Sequence, residues 1–152
     1  MRLGPIERLL YDGKRFDKLP VAYVEYAEGK ATEIRALMGL KAYDPLTLEE
    51  MSDYLGIAVK PQTELERLRW EEWVKVSSIL LNHPEGASSY HQRMFEQESE
   101  YLALCLMVPR RGIWWASNKP KSLMAVHFKT DELIIDLRFE MLGMENGDRV
   151  LH

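Results

Sequence analysis

Residues Phe95–Pro109, FEQESEYLALCLMVP, decide how the rest of the chain is read. At helical spacing Phe95, Leu102, Leu106 and Val108 fall near one face, flanked by Ser99, Ala103 and Met107. Glu96, Glu98 and Glu100 crowd the N-terminal half, where carboxylates suit the positive end of a helix dipole, and Pro109 stops the run. The pattern predicts a half-buried core helix.

Working outward, the flanking segments are also helical. Pro20 opens a stripe of Val21, Val24, Ala27, Ile34, Leu37 and Met38, with a break expected at Gly29 and a C-terminal cap at Gly39. A strand over PVAYVEY is the lesser reading. Thr47 and Glu50 form a capping box for a helix Leu48–Leu55 that ends at Gly56. Ile57–Val59 is a short strand candidate stopped by Lys60-Pro61, and Thr63 starts a long helix through about Asn82. HPEGASS is a loop. After Pro109, RRGIWWASNKP reads as a basic and aromatic connection to two short helices, Lys121–Phe128 and Asp131–Leu142, the second capped by Thr130 and ended by Gly143. The expected fold is mainly α, or α+β with a minimal sheet, in one domain over 1–152, with an N-terminal extension over 1–19 and a frayed tail over 144–152.

Bulk properties narrow the function. A chain of 152 residues, 46% hydrophobic, is long enough to bury a core, and its net charge of −4 gives no general attraction to nucleic acid. Cys105, the single cysteine, excludes an internal disulfide and a cysteine-based zinc knuckle, and its apolar setting points to an inert thiol. Neither a signal-peptide pattern nor a spanning apolar run is visible, so a cytoplasmic protein is expected, with no membrane partner.

Catalytic patterns are sparse. The histidines are His83, His91, His127 and His152, and no HExxH occurs. His83, His91 and Glu98 are the one set that could gather around a metal. Arg110, Arg111, Trp114 and Trp115 make the best candidate for a partner surface, since arginine and tryptophan are frequent interface anchors; the competing reading has both tryptophans closing the core. The helices over 121–142 have the proportions of a helix-turn-helix, but the second offers only Arg138 against four carboxylates, so direct nucleic-acid binding is a minor alternative.

Four stretches, spanning roughly 31–143, resemble the ImmA/IrrE family of zinc metallopeptidase-like proteins. YDPLTLEEMSDYLGIAV is similar to the family's leading helix and strand, and ILLNHPEG to the tail of its metal helix, where HELGH runs on into a leucine-rich segment and a histidine-proline. FEQESEYLALCLMVP resembles the E-x-E-A-N-x-F-A-A-x-L-L-M-P helix, and SLMAVHFKTDELIIDLRFEMLG the closing segment. The resemblance implies a compact zincin-like helical domain with its third metal ligand at Glu98. Counting back from Pro84, however, the HELGH positions are Val74, Lys75, Val76, Ser77 and Ser78, so both imidazoles and the glutamate base are replaced. Only fourteen residues separate Val59 from Val74, where the family threads two more strands that would carry a peptide substrate. The expectation is therefore a catalytically inactive pseudo-metallopeptidase without cofactor. It would be a regulatory protein-binding module of the kind found on phage and mobile elements, with a helix-turn-helix transcriptional repressor as the implied partner. Two alternatives remain: a zinc-dependent peptidase with relocated ligands at His83, His91 and Glu98, and a small DNA-binding regulator using 121–142. Whether Glu98 pairs with Lys75 is the question left to the fold.

Overall fold

A computed structural model describes residues 15–58, 69–84 and 88–143, and the chain is mainly helical. Seven helices appear among the described residues: α1 (Val21–Leu37), α2 (Leu48–Leu55), α3 (Trp70–Leu80), α4 (Ser89–Met107), α5 (Arg110–Ala116), α6 (Lys121–His127) and α7 (Glu132–Met141). There is no strand among the described residues: Ile57 and Ala58 lie outside any element, and Val59, like the predicted helix start at Thr63, falls outside the described residues. The same holds for the N-terminal extension as far as residue 14 and for the tail over 144–152.

The quoted stretch is the axis of the fold. Ser88 caps α4, its hydroxyl accepting from the His91 backbone N–H, so the helix begins well before Phe95. From Ser99 to Pro109 every residue is buried, and the half-buried helix expected from periodicity is instead enclosed on all sides along its C-terminal half. The α1 and α3 helices pack along it, α7 touches it, α2 packs against α3, and α6 packs on α7. That enclosure explains why Leu104 and Cys105, off the expected apolar stripe, are as buried as Leu102 and Leu106.

Burying the end of a helix leaves its last carbonyls in need of donors. Two buried arginines supply them. From α1, Arg35 donates to the Leu106 carbonyl at 2.7 Å, and from α7, Arg138 donates through Nε to the Val108 carbonyl at 2.7 Å. Arg138 also makes a two-point pair with Glu28 on α1, at 3.0 and 2.7 Å, and the Tyr101 hydroxyl donates to the same carboxylate at 3.2 Å. Burial raises the Glu28 carboxyl, but the Arg138 guanidinium outweighs it and holds the group below its usual range. Arg35 carries the opposite balance: desolvation lowers it to about 10. Its second nitrogen donates to the carbonyls of Lys41 and Asp44, fixing the loop after α1.

Several local signals sit where the sequence puts them. Thr47 and Glu50 form the reciprocal capping box, and Gly39, Gly56 and Gly143 all take the left-handed conformation at helix ends. Three expectations are corrected. Gly29 does not interrupt α1: it is exposed with open space around it, and the flanking turns are held by Ala27, Glu28 and Ala31 against the core. The basic connection is a helix, α5. Asp131, not Thr130, caps α7 by accepting from the Leu133 N–H at 2.9 Å.

Candidate functional site

The α3–α4 contact places four of the sequence-predicted residues, Val74, Lys75, Ser78 and His83, around an open pocket of about 720 Å³. Val74 and Lys75 share one wall with Ser78, which lies one turn further along α3, and Phe95 and Ser99 face them from α4. Asn82 and His83 close one end, with Asn82 in the left-handed conformation that turns the chain out of α3. Glu71, Gln92 and Glu96 add a polar edge. Val74, Lys75 and Ser78 thus face the α4 segment that carries Phe95 and Ser99.

Glu98 itself does not line the pocket. Its carboxylate bonds His83 Nε2 at 2.9 Å, and its backbone carbonyl accepts from the Tyr23 hydroxyl at 2.7 Å. Burial raises the Tyr23 phenol well above its ordinary value, and the neighbouring Glu98 charge adds to the rise, so it stays a donor. His83 is held on every side. Its ring stacks on Phe95 at 4.3 Å and 20°, and Nδ1 stands 3.3 Å from the hydroxyls of both Ser78 and Ser99. An ionised carboxylate only accepts, so Nε2 carries the proton; in the neutral ring Nδ1 then accepts from the serines. Neither nitrogen offers a free lone pair to the pocket.

Lys75 is exposed at the pocket and makes no ion pair with Glu98; His83 takes that carboxylate instead. His91 is on the exposed first turn of α4, its Nδ1 2.8 Å from the Ser88 hydroxyl and its ring 6.1 Å from that of Phe95. Of the three residues proposed as relocated ligands, the fold joins His83 to Glu98 directly, and His91 meets Ser88. Structural and catalytic zinc alike need at least three protein donors, and among the described residues no three His, Cys, Asp or Glu side chains gather. An ammonium on the pocket wall further disfavours a cation. The described residues around this pocket do not by themselves make a metal-binding set.

The connection after Pro109 divides. Arg110 turns back to α1, pairing with Glu25 at 3.2 Å and lying 3.7 Å from Glu28, whereas Arg111 is exposed. Trp114 and Trp115 are 60% and 45% exposed, so they do not close the core. Arg138, the lone cation of the second helix over 121–142, is fully buried and committed to Glu28. No helix among the described residues is long and apolar enough to cross a membrane.

Sequence reasoning missed Ser99 and Phe95 as partners of His83. Their i, i+4 spacing on α4 was visible, but nothing in it indicated that His83, at the far end of α3, would reach across. Compared with family models, with curated proteins and with solved structures, the chain matches none.

Proposed function

We propose that the chain is a catalytically inactive relative of the ImmA/IrrE-type metallopeptidases that works by binding another protein, with a helix-turn-helix repressor as the partner class that resemblance implies. One observation carries the reading. Glu98, which the resemblance puts at the third ligand position, is withdrawn from the pocket into a bond with His83, while Val74, Lys75 and Ser78, which it aligns with ligand and base positions, line the pocket wall. Such a pocket lacks the metal-bound water on which that family's chemistry depends. It keeps what recognition needs: an apolar floor at Phe95 and Val74, a cation at Lys75, and fixed hydroxyls at Ser78 and Ser99.

The test pairs metal analysis with binding. Dialysed protein is expected to retain no stoichiometric zinc and to leave a casein substrate intact, while helix-turn-helix repressors co-expressed with it are retained by the wild type and released by Lys75→Glu and Phe95→Ala. Stoichiometric zinc together with proteolysis lost in Glu98→Ala would overturn the reading.

A further inference from the structure

We infer that the face formed by α5 and α6 docks an acidic segment of a protein partner that carries apolar anchors. The inference rests on the reading of the chain as a protein-binding module, and it assigns a surface separate from the α3–α4 pocket.

The face begins with a braced aromatic cluster. Trp115 stacks on Tyr43 at 5.1 Å and 27°, and the His127 ring tilts against it at 4.9 Å. A ring nitrogen of His127 is 2.5 Å from the Tyr43 carbonyl, which ties α6 to the loop after α1. A half-exposed tryptophan held this firmly loses little conformational freedom when something covers it. Beside it, α6 turns Leu123 and Val126 outward, 56% and 74% exposed, three positions apart on the helix and adjoining His127. Apolar side chains standing together at that exposure mark a surface that is covered in use.

Charge identifies what covers it. The Lys41 ammonium sits 5.7 Å from the Tyr43 ring centroid and the Lys119 ammonium 5.2 Å from that of Trp115. Arg111, one turn before Trp115 on α5, is exposed. Among the described residues none of these three cations meets a carboxylate within ion-pair distance, whereas Arg110 is neutralised by Glu25 and Lys121 by Asp136. The neighbouring carboxylate, Asp44, accepts from the Lys41 backbone N–H at 2.7 Å. Three cations outside any ion pair, of which Lys41 is partly offset by the nearby Asp44 charge, stand beside exposed apolar side chains in a chain of net charge −4 and are complementary to an acidic and apolar partner. A stacked nucleobase fits less well, because Tyr43 and Lys119 already occupy the ring of Trp115.

The probe is a synthetic amphipathic peptide of about 20 residues with glutamates on one face and leucines on the other. It is titrated into the full chain beside its lysine counterpart, oligo-dT and phosphatidylglycerol vesicles. The acidic peptide is expected to bind at least about tenfold more tightly than the basic one and to weaken as salt rises. The double variant Lys41→Glu/Lys119→Glu, on exposed or partly exposed positions and with circular dichroism checking its fold, is expected to reverse that preference. Trp115→Ala should lower acidic-peptide binding by about tenfold. Equal binding of the two peptides, no effect of the charge reversal, or preference for the oligonucleotide or the vesicles would overturn the inference. If repressors are still retained and released by Lys75→Glu while the acidic peptide fails to bind, this inference alone falls; if neither is retained, the protein-binding reading falls with it.

Discussion

Replacing Arg138 with methionine should be among the most damaging single changes in the chain. Arg138 is fully buried, and its side chain makes the two bonds to Glu28 and the one to the Val108 carbonyl. The methionine fills much of the volume but leaves Glu28, 6% exposed, with the Tyr101 hydroxyl at 3.2 Å, the weakly donating Cys105 thiol and the more distant Arg110 at 3.7 Å. Removing one partner of a buried pair costs about 3–5 kcal/mol, because the surviving charge stays in a poorly polarisable interior. For a chain of this size that corresponds to a melting temperature about 6–20 °C lower. Removing both charges, in Glu28→Leu/Arg138→Met, abolishes the desolvation penalty and should be milder than Arg138→Met alone, leaving mainly the orphaned Val108 carbonyl at about 1–3 kcal/mol. The pH dependence gives an independent check. In the wild type Glu28 is depressed, so its stabilisation is present above the ordinary carboxylate range, near pH ~4.3, and is lost as pH falls through the folded value. Without the guanidinium, burial raises the carboxyl instead, and the variant should lose less stability on acidification than the wild type does. Denaturant titrations followed by tryptophan fluorescence at several pH values measure all three quantities. An Arg138→Met cost below about 1 kcal/mol, or a double variant worse than the single, would refute this account of the core.

Gly112→Ala should destabilise by about 1–3 kcal/mol by overpacking, because a Cβ there would collide with the Ala42 carbonyl oxygen and stand 2.9 Å from the Phe128 ring; Gly29→Ala, with open space around it, is the stabilising control. Thr47→Ala should cost about 1 kcal/mol in a denaturant titration, through loss of the capping box. Cys105 is fully buried and its thiol is pushed well up by that burial, so native protein should resist an aromatic disulfide reagent and react stoichiometrically only when unfolded. Stoichiometric labelling at the native state would show that α4 opens far more readily than its packing implies.

Features confined to a few residues were legible in the sequence. The Thr47–Glu50 box, the glycines at the helix ends and the apolar run of α4 each depend on groups within one or two turns, so periodicity and capping chemistry suffice to find them. The mainly helical class followed from the same signals. Gly112 shows where that reasoning stops. In sequence it favours a connection, yet it lies inside α5, where the missing side chain lets the Ala42 carbonyl, from a loop seventy positions away, approach the helix. Likewise, the sequence pointed to the Thr130 hydroxyl as the α7 cap, whereas in the fold the Asp131 carboxylate accepts from the Leu133 N–H.

For the candidate site, the sequence by itself placed Val74 and Lys75 one turn before Ser78 on α3 and Glu98 on α4, since both helices are locally encoded. Only the tertiary structure decided what Glu98 does. A carboxylate entering a crowded helix contact must find a donor. The crossing of α3 and α4, with the left-handed turn at Asn82, brings the His83 ring to it at 2.9 Å while Lys75 remains at the pocket wall. Residue types and spacing listed the possible partners; packing distance and desolvation chose between them.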